Sequence, residues 1–235
     1  MYFTANKHHK ENMASIYFIR HGQAAFGEDN YDKLSALGKV QARLTGEYLC
    51  KTDVKFDAVY SGSLLRQRET CEQVRKKYKG SIYQFPKTII DERLNELQAE
   101  NLVTHLAARL TVTTGNIEGD MDNARYDNKG YQKLLHSCFK YWLVQDEEVD
   151  NCVRDIMALH GSGKNIAVFT SGGVIAAVVK KSLDLPGSDN YPVFEPVINA
   201  SITHCNYSQE RYSLNYYNDH SFLRLMGGEK VITSY

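Results

Sequence analysis

The chain is poor in the features that mark whole classes of protein. In its 235 residues no apolar run reaches the roughly 18 residues a membrane helix needs, so no membrane partner is expected. No sign of charge is in excess: 28 Lys and Arg balance 28 Asp and Glu. Nucleic-acid-binding domains usually carry a basic surplus, so no nucleic-acid partner is expected either, although a local basic pocket stays open. Cysteine is sparse, five in all, and spread singly at Cys50, Cys71, Cys138, Cys152 and Cys205. No C-x-x-C or Cys/His cluster has zinc-ligand spacing, so no metal or other cofactor is implied. An odd count fits reduced, buried thiols in a cytoplasmic protein. The first residues are polar and lack the apolar core of a secretory signal, roughly 7–15 residues long. Residues 1–14 read as a polar tail, with Met13 an alternative start. At roughly 100–200 residues per domain, 15–235 is expected to form one domain with an insertion. Nothing in the sequence indicates an oligomeric state.

What is present begins at Ser15. The run Ser15–Ile19 is apolar and β-rich and reads as a buried strand, ending at Arg20-His21-Gly22. Ser35 then offers an N-cap to a helix whose Leu37, Val40, Leu44 and Tyr48 recur at helical spacing. Phe56–Tyr60 predicts a second strand, broken at Ser61-Gly62-Ser63 and followed by a helix from about 64 to 78. Ile82–Phe85 predicts a third, stopped by Pro86. Tyr131, Leu134, Leu135, Cys138, Phe139 and Trp142 form an amphipathic stripe, and a helical insertion at about 97–146 is expected to cap the sheet. Val149, Val153, Ile156 and Met157 predict the next helix. Ile166–Phe169 is the most strand-like run; it stops at Thr170-Ser171-Gly172-Gly173 and leads into a helix from about 174 to 183. Ile202–Tyr207 and Arg211–Tyr217 alternate as two more strands. Strands alternating with helices predict an α/β fold with a mostly parallel sheet.

In such sheets ligands bind beyond the carboxyl ends of the strands. Three strand ends here carry features suited to an anion. One ends in Arg20-His21-Gly22. One ends in Ser61-Gly62-Ser63, with Arg66 and Arg68 just inside the following helix. The third ends in Ser171-Gly172, where backbone N–H groups at a helix N-terminus can approach a ligand. Arginine forks and backbone donors converging on one point make a phosphate-sized site. A histidine within it can act as nucleophile or as acid and base.

These motifs, taken in order, resemble the histidine phosphatase superfamily, the phosphoglycerate-mutase-like proteins. IRHGQ at 19–23 and LSALGKVQA at 34–42 are similar to the family's opening. YSGSLLRQRET at 60–70 is similar to its second motif, RLNEL at 93–97 to its acidic motif, and NASITHCNY at 199–207 and NDHSFL at 218–223 to its closing segments. The resemblance spans about 15–223. It implies a three-layer α/β/α sandwich and a metal-independent phosphatase that hydrolyses a phosphomonoester, small or on a protein, through a phosphohistidine. On this resemblance His21 is the nucleophile, Arg20 and Arg66 clamp the phosphoryl oxygens, and Glu96 protonates the leaving oxygen. Arg68 is the lesser candidate for the clamp. Ser171 and Gly172 would also bind phosphate, and Gln23, Phe26 and Gly27 would contact substrate.

One departure stands out. The family's second catalytic histidine precedes a glycine, and here that position is Ser171. A neutral hydroxyl in place of a charged donor is worth a loss of about 2–4 kcal/mol, or roughly 10²–10³ in rate. The chain resembles a TSGG-type branch in which this serine recurs. Two alternatives follow: a catalytically weak member that binds phosphate ligands or acts as a scaffold, and a mutase-type phosphotransferase. Leu97-Gln98-Ala99-Glu100-Asn101 is acidic and amide-rich, which disfavours holding a second phosphate. His204 and His220 fall where the family has ordinary strand and closing residues.

Overall fold

A computed structural model describes residues 14–25, 30, 32–96, 146–185, 197–208 and 210–234. Of the tail expected at 1–14, residues 1–13 lie outside the described residues, whereas Ala14 is buried and begins the first strand, paired with Tyr207; Phe26, Gly27 and the expected insertion as far as residue 145 also lie outside them. Among the described residues six strands form one sheet: β1 (Ala14–Arg20), β2 (Ala58–Ser61), β3 (Thr88–Ile90), β4 (Asn165–Thr170), β5 (Ile202–Tyr207) and β6 (Tyr212–Asp219). Their order is β3-β2-β4-β1-β5-β6. The first four strands in that order run parallel, and β5 and β6 are added antiparallel. The helices are α1 (Ala36–Lys51), α2 (Leu65–Tyr78), α3 (Asp146–His160), α4 (Gly172–Ser182) and α5 (Ser221–Gly227). No helix among the described residues is long and apolar enough to cross a membrane.

The side-chain alternation of the central strands makes the fold three-layered. Ile16 and Phe18 of β1, with Ile166 and Val168 of β4, pack with Val153, Ile156 and Met157 of α3 and Val174, Ile175 and Val178 of α4. The intervening Ile19, Ala167 and Phe169 pack on the opposite side with Leu49 of α1, Cys71 and Val74 of α2 and Phe222 of α5. Strands buried on both faces read as continuous apolar runs, which is why β1 and β4 are conspicuous in the sequence. Cys71, Cys152 and Cys205 are buried, and burial pushes each thiol up to about 12.

The third strand differs from expectation. Ile82–Phe85 is not a strand; β3 lies beyond Pro86 and pairs with β2 from Val59↔Thr88 to Ser61↔Ile90. Ile82 is 86% exposed, while Tyr83 and Phe85 pack from a loop against the α1/α2 side of the core. Their apolar character is therefore spent on core packing rather than on strand pairing.

The start of α1 is pressed against the loop leaving β1. Ser35 caps it, its side chain accepting from the Gly38 N–H. A Cβ on Gly38 would sit 2.1 Å from the Gln23 carbonyl oxygen, and one on Gly22 would sit 2.4 Å from the Gly38 carbonyl oxygen. Backbone cannot yield as a flexible side chain does. Gly38→Ala is therefore expected to destabilise the protein by about 1–3 kcal/mol, the usual cost of overpacking, read by urea unfolding. An unchanged midpoint would show that the loop can move away freely.

Candidate active site

The C-terminal ends of β1, β2 and β4 bring together the residues singled out from the sequence. His21 follows β1 directly, and its backbone N–H donates to the Thr170 carbonyl at 2.8 Å. Since Arg20 pairs with Thr170, His21 and Ser171 are the first residues beyond two adjacent strand ends. Their backbones are thus about one strand spacing apart, roughly 5 Å.

The imidazole of His21 is buried and its tautomer is fixed. Nδ1 lies 2.8 Å from the Gly22 carbonyl oxygen. A carbonyl can only accept, so Nδ1 carries the proton and Nε2 presents a lone pair. Nε2 accepts from the Arg66 Nε–H at 3.2 Å. Burial first, then the charges of Arg66 and Arg20, hold the His21 pKa well below its ordinary value of 6.5, against a smaller upward pull from the Gly22 carbonyl. The ring is therefore neutral at pH 7, with its unprotonated nitrogen beside a guanidinium.

The first turn of α2 organises most of the remaining geometry. Arg66 is buried and Arg68 is exposed, so Arg66 is the arginine that faces the site. The Asp32 carboxylate holds it, accepting from Arg66 Nη1 at 2.6 Å, while the other carboxylate oxygen accepts from the Leu65 N–H at 2.7 Å. Asp32 thus caps α2 and orients the arginine at once. Thr70 Oγ1 accepts from the Gly22 N–H at 3.0 Å and donates to the Arg66 carbonyl at 2.7 Å, joining the histidine loop to α2. Gln67 Nε2 donates to Ser171 Oγ at 2.8 Å and to the Leu94 carbonyl at 3.0 Å.

Asn95 fixes the acidic motif to the end of β2. Its Oδ1 accepts from the Ser63 N–H at 2.7 Å, and its Nδ2 donates to Ser63 Oγ at 2.9 Å. The next residue, Glu96, is thereby carried to the start of α4, where Oε2 accepts from the Gly173 N–H at 3.1 Å. A carboxylate there benefits from the positive end of the helix. Ser171, wholly buried, occupies the N-cap position of α4 without making a side-chain cap bond. Gly172 is the first residue of that helix and is also buried.

Arg20 and Gln23 also tie the site to its surroundings. Arg20 Nη1 donates to the Val197 carbonyl and, at 3.0 Å, to the Ser234 carbonyl, tying β1 to the C-terminal segment. Gln23 receives the Ser35 hydroxyl on Oε1 at 2.9 Å and donates its backbone N–H to Gln41 Oε1 at 2.8 Å. Phe26 and Gly27 fall outside the described residues. His204 lies in β5 opposite Tyr17 and stacks on that ring at 4.4 Å. It is four residues from the His21 end of β1, about 13 Å along a strand, too far to stand in for Ser171. Asp32, Gln67, Thr70 and Asn95 join the site through the fold alone. No local pattern singles them out, because their partners lie far away along the chain.

Residues 16–220 match the sequence profile of the histidine phosphatase superfamily (branch 1). Over 78 residues the chain is 31% identical to the serine/threonine-protein phosphatase Pgam5, mitochondrial, of Caenorhabditis briggsae; the match covers 33% of this chain and 27% of that relative. Among solved structures, the phosphoglycerate mutase of Bacillus anthracis str. Sterne superposes with a TM-score of 0.61 at 19% identity, over 92% of this chain and 98% of the other. The phosphoserine phosphatase of Entamoeba histolytica, in complex with 3-phosphoglyceric acid, does so with a TM-score of 0.59 at 16% identity, over 89% and 99%. At these identities the likeness to solved structures is one of fold.

Proposed function

The chain belongs to the histidine phosphatase superfamily, and from that premise we propose that it hydrolyses a phosphomonoester through a phosphohistidine on His21, without a metal ion. The observation that carries the reading is the state of His21: neutral, with Nδ1–H committed to a carbonyl and the Nε2 lone pair next to Arg66. An imidazole can attack phosphorus only when that nitrogen is free of a proton. On arrival of substrate, the Arg66 N–H groups pass to phosphoryl oxygens, where charge spreads in the transition state. Nε2 forms the P–N bond as the ester P–O bond breaks. The proton of a protonated Glu96 goes to the departing oxygen. As the ring becomes positive, its Nδ1–H bond to the Gly22 carbonyl strengthens. Water then attacks phosphorus and gives a proton to Glu96 as the P–N bond breaks and its electron pair returns to Nε2, so inorganic phosphate leaves with His21 neutral again.

Ser171 and the Gly172 N–H complete the phosphate site in this reading, and Ser171 marks the chain as a TSGG-type member. The buried, free thiols support a reducing compartment such as the cytoplasm. The substrate is a small phosphate ester or a phosphoprotein. A second reading, a phosphate-binding member with little turnover, is favoured by the neutral hydroxyl of the buried Ser171. Trapping separates the two. In EDTA, p-nitrophenyl phosphate followed by alkaline quench and peptide mass spectrometry is expected to give a phosphoryl group on His21. Absence of both label and turnover would favour the binding protein.

A further inference from the structure

Ser171 and Gln67 are both wholly buried, and they make one hydrogen bond whose direction can be read. Gln67 Nε2 lies 3.0 Å from the Leu94 carbonyl oxygen and 2.8 Å from Ser171 Oγ. Since the carbonyl can only accept, the amide cannot be turned round, and the end facing Ser171 is the NH₂ group. Ser171 Oγ is therefore the acceptor of that bond. With Oγ accepting from Gln67 Nε2, the hydroxyl proton points away from the amide. The amide is seated in a slot that a glycine keeps open: a Cβ on Gly62 would lie 2.0 Å from Gln67 Oε1 and 2.6 Å from Asn95 Oδ1. Oε1 itself meets no donor among the described residues, so the bonding is all at the NH₂ end.

We propose that Gln67 is a positioning residue: by donating to Ser171 Oγ it fixes the hydroxyl with its proton turned toward His21, so that Ser171 serves a bound phosphoryl oxygen as a hydrogen-bond donor. A free hydroxyl rotor could present either a lone pair or a proton to an anion, and only the proton attracts it. Preorganisation of a donor is what makes it effective in a buried site. The proposal rests on reading the pocket as a phosphoryl site.

A double-mutant cycle tests it without requiring turnover. Orthovanadate and inorganic phosphate binding are measured by calorimetry for wild type, Gln67→Leu, Ser171→Ala and the double variant, with Gln67→Met in place of Gln67→Leu should the latter not fold. Each single change is expected to weaken orthovanadate binding by about 10- to 100-fold, the range for a hydrogen bond to a charged group. The double variant should bind no worse than Ser171→Ala alone, and Ser171→Thr, which keeps the hydroxyl, should bind near wild type. If Gln67→Leu costs as much in the Ser171→Ala background as in wild type, Gln67 acts on packing alone and the proposal is overturned. Wild type that binds anion but does not turn over counts against the phosphatase while the cycle still decides Gln67. Wild type that binds neither anion overturns both.

Discussion

His21→Ala is expected to lower kcat/KM for p-nitrophenyl phosphate by at least about 10⁴-fold, because covalent catalysis ends with the loss of its nucleophile. The residual rate would come from Arg66 and backbone donors acting on a bound ester with water as the attacking group. The same substitution tests the protonation state. His21 is held below 6.5 by burial and two arginines, so in the folded wild type it stays neutral and competent as pH falls well below that value. In the unfolded chain it takes up a proton first. Stability linked to this group is therefore intact above about 6.5 and declines as pH falls toward the folded value. His204, held at about 4 by burial, adds a decline of the same sign between about 6.5 and 4. Removing His21 should flatten, but not abolish, the acid side of a plot of unfolding free energy against pH. Undiminished turnover in His21→Ala would sink the phosphohistidine reading outright.

The parts of this molecule that were legible in the sequence are those decided by local chemistry. β1 and β4 announce themselves as continuous apolar runs because they are buried on both faces. α1 is marked by Ser35, whose hydroxyl does accept from the Gly38 N–H. Arg66 could be preferred to Arg68 on resemblance to a motif, and burial agrees. β3 was not legible. It is a three-residue edge strand whose Ile89 and Ile90 are 44% and 47% exposed, whereas the more apolar-looking 82–85 segment packs as a loop. The supporting residues of the site were equally hidden. Asp32 is one carboxylate in a polar loop until the fold brings it to Arg66 and the Leu65 N–H. Gln41 is a helix glutamine until its amide meets the Gln23 N–H, the Val231 carbonyl and Thr233. Such roles depend on which strand ends become neighbours, and no single stretch of sequence states that.

Glu96→Gln separates general acid catalysis from mere capping of α4, because the two roles respond differently to the leaving group. The side chain keeps its shape and an oxygen that can accept from the Gly173 N–H, so the fold should persist. What disappears is the transferable proton. An alkyl phosphate such as glycerol 2-phosphate expels a strongly basic alkoxide and needs that proton as its P–O bond breaks. For it, kcat/KM is expected to fall by about 10²–10⁴, the usual worth of a positioned acid. p-Nitrophenolate is weakly basic and leaves unaided, so phosphorylation of His21 by p-nitrophenyl phosphate should slow far less. The second half-reaction still needs a base to take a proton from water, and Glu96 supplies it in wild type. With glutamine the phosphoenzyme should therefore accumulate, visible in stopped-flow as a burst of p-nitrophenolate ahead of a slow steady state. Equal losses for the two substrates, with no burst, would mean that Glu96 only holds the start of α4, and that the proton reaches the leaving oxygen from another group.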